Sequence, residues 1–243
     1  MASGSGGVGS PRTFVLVHGA WHGGWCWRRV SNALQRDGHT VFAPTLTGLA
    51  DRSHLLTAAV NLDTHIADIV NLVKWENLSD IVLVAHSYAG FPVSGAIEQI
   101  CDRIASVVFL DAFLPENGQR SLDVASDFSK KLTAEAMAKG ELTNAAPPAE
   151  RFGVNERDRA WVDSKLTPQP LGVGSQPLRL TGARERVPKK TYIRAPRYPQ
   201  PSFDAYHLAK KADPSWRTYE VPCGHDVMID MPERLAEILL EVA

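Results

Sequence analysis

The sequence predicts an α/β protein in which a mostly parallel sheet is flanked by helices. Short apolar runs rich in Val, Ile and Leu are typical of strands that are buried on both faces of such a sheet. Between these runs lie segments with apolar residues at three- and four-residue spacing, which predict amphipathic helices. Strands and helices that alternate in this way along a chain indicate the α/β class.

Six runs predict the strands, because each is short, apolar and rich in β-branched or aromatic residues. In chain order they are Phe14 to Val17, Thr40 to Ala43, Ile81 to Ala85, Ser106 to Leu110, Thr191 to Ile193 and Arg217 to Val221. The predicted helices, which carry the helical spacing of apolar residues, are Trp25 to Arg36, Leu62 to Trp75, Phe91 to Cys101 and Pro232 to Val242. No internal repeat is visible, so we expect a single domain.

The alternation is interrupted between about Pro115 and Pro188, where polar residues and scattered helical stretches occur without a convincing strand. We interpret this stretch as a helical cap inserted into a domain that spans residues 13–243. Residues 1–12 are rich in Gly and Ser and lack the apolar centre of a signal peptide. They predict a disordered leader.

The composition argues against several kinds of partner. Lys and Arg number 26 and Asp and Glu 27, which gives a net charge of −1, and no long block of one sign suits nucleic acid or an anionic membrane. Cys26, Cys101 and Cys223 are odd in number and lack paired spacing, which favours a reducing, cytoplasmic location. No stretch approaches the roughly 18 apolar residues of a membrane span. We expect a small-molecule partner and leave a homodimer open.

The segment Ile81-Val-Leu-Val-Ala-His-Ser-Tyr-Ala-Gly90 runs from an apolar strand through Ser87 directly into a helix. This is the layout of a nucleophile elbow, a sharp turn that holds a serine hydroxyl above the sheet and needs small residues two positions before and after it. Here these are Ala85 and Ala89 rather than the usual glycines. Ser87 is therefore the candidate nucleophile, the alternative being a buried serine that begins a helix.

A Gly-rich turn, Val17-His-Gly-Ala-Trp-His-Gly-Gly24, follows the first predicted strand. Ester hydrolysis passes through an oxyanion that needs preorganised N–H donors. The turn can supply one from Ala20, and the residue after the nucleophile, Tyr88, can supply another. His18 and His22 have no further ligands at metal spacing, so we expect structural roles for them and no metal.

The loop Val221-Pro-Cys-Gly-His-Asp226 lies between the last predicted strand and the terminal helix. A histidine there lies at the carboxyl edge of the sheet, on the same side as the elbow. His225 is therefore the candidate general base, which accepts the proton of Ser87 and later returns it to the leaving group.

These three segments resemble one group of α/β-hydrolases. The motifs Val17-His-Gly-Ala-Trp-His-Gly-Gly-Trp-Cys-Trp27, Ala85-His-Ser-Tyr-Ala-Gly90 and Gly224-His-Asp226 are similar to those of plant methylesterases, hydroxynitrile lyases and bacterial carboxylesterases. The resemblance covers roughly residues 13–242. It implies the α/β-hydrolase fold, catalytic roles for Ser87 and His225, an oxyanion N–H from Ala20, and no metal or organic cofactor.

The sequence departs from this group at the acid of the catalytic triad. Most relatives carry the acid a few residues after the strand Thr191 to Ile193, but the stretch Tyr192-Ile-Arg-Ala-Pro-Arg-Tyr-Pro199 contains no carboxylate. Asp111 directly follows the strand Ser106 to Leu110 and is favoured, because a strand end is a rigid support. Asp204 is the alternative acid, although it can also complement a helix dipole.

The resemblance implies a serine hydrolase that acts through an acyl-enzyme. The mainly apolar cap and the uncharged oxyanion turn favour small hydrophobic or aromatic carboxylic esters as substrates. Hydroxynitrile lyases have a Lys soon after the catalytic His and a Thr near the oxyanion turn, and neither occurs here, which favours hydrolysis. The alternative that is not an enzyme is a receptor with the hydrolase fold, which binds a small apolar ligand with little turnover. Candidates for an apolar pocket are Trp21, Tyr88, Phe113, Phe128, Phe152 and Trp161.

Overall fold

The computed structural model describes residues 10–243, which are organised around a parallel sheet. The strands are β1 Thr13–Val17, β2 Thr40–Phe42, β3 Ile81–His86, β4 Ile104–Leu110, β5 Thr143–Asn144, β6 Gln169–Pro170, β7 Lys189–Arg194 and β8 Trp216–Glu220. Six of them form one sheet in the order β2-β1-β3-β4-β7-β8, with every neighbouring pair parallel. The six predicted strands and the α/β class are confirmed.

Helices cover both faces of this sheet. They are α1 Arg28–Arg36, α2 Leu62–Trp75, α3 Gly90–Ile100, α4 Ser121–Val124, α5 Asp127–Ala138, α6 Glu156–Asp163, α7 Gly172–Ser175, α8 Pro201–Lys211, α9 Val227–Asp230 and α10 Pro232–Glu241. The four predicted helices correspond to α1, α2, α3 and α10, except that the first begins as a 3₁₀ turn over Gly24–Trp27. Asn61 caps α2, because its side chain accepts the N–H of Thr64 at 3.1 Å.

Alternate residues of the central strands supply two separate cores. In β1, Val15 and Val17 face the layer of α2 and α3, whereas Phe14 and Leu16 face the layer of α1 and α10. Successive side chains of a strand point to opposite faces, and both faces are covered here. The strands must therefore be apolar throughout, which is the pattern that makes them visible in the sequence.

Residues 111–188, between β4 and β7, contain the stretch predicted as a cap. They hold α4 to α7 and an antiparallel ribbon of β5 and β6, in which Thr143 pairs with Pro170 and Asn144 with Gln169. The expectation that this stretch lacks strands is therefore wrong. Each strand of the ribbon is two residues long, too short to show a period of two in the sequence.

The predicted disordered leader, residues 1–12, falls mostly outside the described residues. Arg12 is bound to the sheet, because its N–H donates to His39 Nδ1 at 3.1 Å and its carbonyl accepts the N–H of Thr40 at 2.9 Å. Within residues 10–243, no helix has the length and apolar character that crossing a bilayer requires.

Candidate active site

The carboxyl ends of the parallel strands meet at one edge of the sheet, and the candidate residues lie along it. The chain passes from β1 outward to β2, whereas from β3 it continues to β4 on the other side. The loops after β1 and β3 therefore diverge and leave a crevice, which is where open α/β sheets bind ligands.

Ser87 lies in a sharp turn between β3 and α3. Its φ of +56° is the left-handed conformation, which is uncommon for a residue other than glycine. Ala85 and Ala89 on either side are fully buried, and a Cβ on Gly90 would collide with the carbonyl oxygen of Phe113. The N–H of Phe113 donates to the carbonyl of Ser87 at 3.2 Å, so the loop after β4 supports the turn.

Ser87, His225 and Asp111 form one hydrogen-bonded chain. Nε2 of His225 lies 2.8 Å from Oγ of Ser87, and its Nδ1 lies 2.6 Å from Oδ2 of Asp111. A carboxylate only accepts hydrogen bonds, so Nδ1 carries the ring proton and donates it to Asp111. Nε2 is then free to accept the hydroxyl proton of Ser87, and the three residues together can activate this serine as a nucleophile.

The position of His225 is fixed from several sides. Its backbone N–H donates to the carbonyl of Phe152 at 2.7 Å, and its carbonyl accepts a hydrogen bond from Nε2 of His86 at 3.1 Å. The ring of Tyr198 stacks on the imidazole, with centroids 4.3 Å apart and an interplanar angle of 25°. The imidazole therefore has little freedom to leave Ser87 and Asp111.

Arg194 lies between Asp111 and Asp204, the two candidates for the acid of the triad. Oδ1 of Asp111 accepts from Nη1 of Arg194 at 2.6 Å and from the N–H of Ala195 at 3.0 Å, which directs Oδ2 to His225. Nε of Arg194 donates to Oδ1 of Asp204 at 2.8 Å, and the side chain of Asp204 is 56% exposed. The structure brings Asp111 to His225 and places Asp204 on the far side of Arg194.

Arg194 was not among the site residues predicted from the sequence, although its position at the end of an apolar strand indicates a special role. Burial lowers the pKa of Arg194, but its bonds to Asp204 and Asp111 outweigh burial and raise the pKa above its ordinary value. A buried guanidinium needs carboxylate partners, so an arginine at the end of the apolar run in β7 indicates acids nearby.

The turn after β1 approaches Ser87 closely. A Cβ on Gly19 would lie 2.8 Å from Cβ of Ser87, so a glycine is needed there. Ala20 and Tyr88, the predicted donors to an oxyanion, line the same cavity as Ser87 and His225.

Trp21 follows in the same turn and is bound by the cap through all its polar groups. Its N–H donates to Oε1 of Gln169 at 2.9 Å, its indole Nε1 donates to Oδ1 of Asn144 at 3.1 Å, and its carbonyl accepts the N–H of Thr167 at 2.9 Å. Trp21 has a φ of +64°, which costs about 1–3 kcal/mol for a bulky residue. The ribbon of β5 and β6, with the loop before β6, holds the turn in this strained conformation.

A buried ion pair lies behind the turn. Nε2 of His22 lies 3.1 Å from Oδ2 of Asp226, and Nδ1 of His22 donates to the carbonyl of Ala20 at 2.8 Å. Burial lowers the pKa of His22, but Asp226 outweighs it and raises the pKa. Burial likewise raises the pKa of Asp226, but His22 outweighs it and lowers the pKa. The pair connects the turn to the loop that carries His225.

His18 has a structural position. Its Nδ1 donates to the carbonyl of Gly19 at 2.8 Å, its Nε2 accepts the N–H of Leu46 at 3.0 Å, and burial lowers its pKa to about 3. Within residues 10–243, no group of three or more His, Cys, Asp or Glu side chains is placed to hold a metal ion.

A cavity extends from Ser87 between the sheet edge and the cap. Four of the six predicted aromatic residues line it, namely Trp21, Tyr88, Phe113 and Phe152. Sequence reasoning did not identify the other lining residues, most of which lie in the cap: Ser121, Leu122, Ala125, Ser126, Ser129, Thr133, Asn144, Gln169, Pro170, Leu171, Val173, Gly174, Tyr198, Gln200 and Phe203. Among the described lining residues there is no Asp, Glu, Lys or Arg, so the cavity suits an uncharged ligand.

Phe128 and Trp161 lie elsewhere, and their prediction as pocket residues is wrong. The ring of Phe128 lies under the guanidinium of Arg151 at 3.8 Å. The ring of Trp161 packs edge-on against Trp25 with centroids 5.2 Å apart. Both residues belong to cap helices, and which face of such a helix meets the cavity depends on packing that the sequence pattern does not specify.

Comparison with known proteins gives matches along most of the chain. Residues 14–238 match the model of the "Alpha/beta hydrolase family". The chain is 40% identical to a carbendazim hydrolyzing esterase of Nocardioides sp. (strain SG-4G) over 235 residues, 93% of this chain and 97% of that protein. It is 33% identical to methylesterase 2 of Arabidopsis thaliana over 131 residues, 53% of this chain and 50% of that protein.

A similar solved structure is that of an extracellular alpha/beta-hydrolase from a Paenibacillus species, with a TM-score of 0.81 and 24% identity. The similarity covers 96% of this chain and 99% of that one. The shared fold therefore extends over nearly all of this chain.

Proposed function

Because this chain belongs to the alpha/beta hydrolase family and is a carboxylic ester hydrolase, we propose that it cleaves small hydrophobic or aromatic esters through a Ser-His-Asp acyl-enzyme mechanism. The α/β-hydrolase fold predicted from the sequence is confirmed. The observation that carries the proposal is the hydrogen-bonded chain of Ser87, His225 and Asp111 beside a cavity without charged lining residues.

In the first half of the proposed reaction, Ser87 Oγ attacks the ester carbonyl while Nε2 of His225 accepts the hydroxyl proton. Asp111 fixes the imidazole tautomer and stabilises the imidazolium that forms. The N–H groups of Ala20 and Tyr88 donate to the oxyanion, and the loss of one such donor typically raises a barrier by about 2.7–4 kcal/mol. His225 then passes its proton to the leaving alkoxide.

In the second half, water attacks the acyl-enzyme. His225 accepts a proton from this water, the oxyanion forms in the same place, and the proton finally returns to Oγ of Ser87. The carboxylic acid leaves and the free enzyme is regenerated. The hydrogen bonds on both ring nitrogens of His225 suit it to act as base and acid in turn.

The cavity supports an uncharged substrate with apolar or aromatic parts. Trp21, Phe113 and Phe152 offer aromatic surface, and an ionised group buried beside them without a partner would cost several kcal/mol. The matched relatives include an esterase that hydrolyses carbendazim and a plant methylesterase, which also favours small-molecule esters over peptides.

Turnover of short-chain p-nitrophenyl esters by wild type, Ser87→Ala and Ser94→Ala tests the proposal. Ser94 is a buried serine on α3 and serves as a matched control. We expect Ser87→Ala to lose turnover and Ser94→Ala to keep it, and mass spectrometry should find one fluorophosphonate adduct, on Ser87. Turnover that survives in folded Ser87→Ala would refute the mechanism, and folded wild type without turnover or adduct would favour the receptor alternative.

A further inference from the structure

We propose that the ring of Tyr198 stabilises the positive charge that His225 acquires when it accepts a proton during the reaction. Tyr198 acts on the reaction through this imidazole, so it is a positioning residue rather than a catalytic one. The inference rests on the proposed function, because that mechanism is what gives His225 its charge. It adds an electrostatic role to the stacking of the two rings.

The two rings lie face to face. Their centroids are 4.3 Å apart and their planes differ by 25°. Carbon atoms in contact are about 3.5–4.0 Å apart, so two rings that lie side by side in one plane cannot bring their centres this close. The face of Tyr198 therefore covers the imidazole. Phe203 and Phe152 also lie nearly parallel to the imidazole, but their centroids are more distant, at 5.9 Å and 6.1 Å.

The turn that carries Tyr198 is held in place by Arg194. Nη2 of Arg194 donates to the carbonyl of Tyr198 at 2.7 Å, and Nη1 donates to the carbonyl of Ala195 at 2.6 Å. The N–H of Tyr198 donates to this same carbonyl of Ala195 at 3.1 Å and closes the turn. The guanidinium that binds Asp111 therefore also fixes the ring that covers the imidazole.

The negative charge of Asp111 is shared between two cations once the imidazolium forms. One carboxylate oxygen accepts from Nη1 of Arg194 at 2.6 Å, and the other contacts the imidazole at 2.6 Å. Arg194 has a second partner in Asp204, but this carboxylate is 56% exposed, so water and salt screen its charge. Additional stabilisation of the imidazolium by a neighbouring ring therefore favours the reaction.

Other titratable neighbours leave this balance unchanged. The ring centroid of His86 is 4.5 Å from that of the imidazole, and burial lowers the pKa of His86 well below its ordinary value of 6.5, so His86 is neutral. His22 and Asp226 form an ion pair of opposite charges. Tyr198 is itself neutral, because burial raises the pKa of its phenol to about 12. Its ring can therefore attract an imidazolium without adding a buried charge.

The attraction appears only when the imidazole is protonated. The face of an aromatic ring is negative and attracts a cation, whereas a neutral imidazole gains only the ordinary stacking contact. An interaction that is stronger in the transition state than in the ground state raises kcat. His225 carries the proton in both halves of the reaction, so we expect the ring to accelerate both formation and hydrolysis of the acyl-enzyme.

Fluorinated rings at position 198 test this inference. Tyr198→Phe is the reference, and phenylalanines with one, two and three ring fluorines take its place in turn. Each fluorine withdraws electron density from the face of the ring and changes its size little, whereas Tyr198→Leu removes the ring. The same series at Tyr206, a half-buried residue of α8 that is not among those lining the cavity, is the matched control. Both kcat and KM are measured with p-nitrophenyl acetate on variants with matched thermal unfolding.

We expect kcat to fall with each fluorine, to about tenfold below Tyr198→Phe when three are present. KM should stay within about twofold, because the ring acts on the transition state rather than on substrate binding. Tyr198→Leu should lose at least as much kcat, and Tyr198→Phe should restore most of that loss. The series at Tyr206 should leave kcat unchanged.

A kcat that stays constant along the fluorinated series, with wild type active and labelled on Ser87, would overturn the inference and leave the proposed function standing. This holds even if Tyr198→Leu is slow, because the ring would then act by packing alone. A change in KM without a change in kcat, or equal losses at positions 198 and 206, would also overturn it. Wild type that turns over no ester and takes no fluorophosphonate would overturn both proposals.

Discussion

In the proposed mechanism, Asp111 takes a role that most of the resembling enzymes give to a residue on the neighbouring strand. It follows β4 directly, and its N–H donates to the carbonyl of Ile193 in β7 at 2.7 Å. Leu110 and Ile193 are register partners, so the ends of the two strands lie side by side, about 4.8 Å apart. A carboxylate can therefore reach the same imidazole from either strand end.

Exchange of each candidate acid for its amide separates their roles. We expect Asp111→Asn to lower kcat by about 10⁴-fold, because an amide no longer holds the productive tautomer of His225. Asp204→Asn should change kcat by only a few-fold, since Asp204 is largely exposed and contacts Arg194 rather than His225. Esterase kinetics on variants with matched thermal unfolding decide the question, and a larger loss in Asp204→Asn would reverse the assignment.

The ion pair of His22 and Asp226 predicts a pH dependence of stability. The raised pKa of His22 means that its contribution is complete below its ordinary value of 6.5 and is lost as pH rises through the folded-state pKa. The lowered pKa of Asp226 means that its contribution is present above 3.8 and is lost as pH falls through the folded-state pKa. We expect Asp226→Asn to lower the free energy of unfolding by about 3 kcal/mol between pH 3.8 and pH 6.5, and by less at lower or higher pH.

Urea unfolding of wild type and Asp226→Asn, at pH values inside and outside this interval, measures the difference in their free energies of unfolding. His22→Gln is the control, because it removes the titrating partner and should abolish the decrease on the alkaline side. A difference that stays constant from pH 5 to 9 would contradict the ion pair.

At the scale of elements, the unit formed by β3, the turn at Ser87 and α3 depends on how closely α3 approaches the loop after β4. Gly90 is the first residue of α3, and there is no room for a Cβ against the backbone of Phe113. The same loop carries Asp111 only two residues earlier. Packing of the helix and placement of the acid are thus coupled.

Gly90→Ala tests this coupling. Alanine in place of glycine stabilises an exposed helix by about 1 kcal/mol. At Gly90 the added Cβ collides with the backbone, so we expect the free energy of unfolding to fall by about 1–3 kcal/mol instead. Turnover should fall further, because the loop that holds Asp111 must move. Gly174→Ala in α7 is the matched control for stability, since the atom nearest to its Cβ would be 3.6 Å away. Urea unfolding that finds Gly90→Ala as stable as wild type would refute the coupling.

At the scale of the whole molecule, the sheet and the polar residues at its edge could be predicted from the sequence. Strands buried on both faces must be apolar, and side chains that follow parallel strands converge at one edge. Ser87 and His225 follow such strands, and so does Asp111, which is why the structure finds them together.

The cavity lining could not be predicted, because it depends on packing within the cap. Phe128 and Trp161 have the right chemistry and lie in the right segment, yet their helix faces turn to Arg151 and Trp25. Gln169 carried no signal, because a two-residue strand has no periodicity.

The three hydrogen bonds on Trp21 limit how this enzyme can be recombined with others. Trp21 and the cap residues it contacts are 123–148 positions apart in the chain, yet hydrogen bonds hold them in a fixed arrangement. A chimaera that takes its cap from another hydrolase would gain that donor's substrate range only if the new segment also restrained Trp21. It would need amide oxygens at the equivalents of Asn144 and Gln169 and a residue other than proline at Thr167. In such a chimaera, cap residues that face the substrate can be varied, whereas the residues that hydrogen-bond to Trp21 must be transferred or kept together with it.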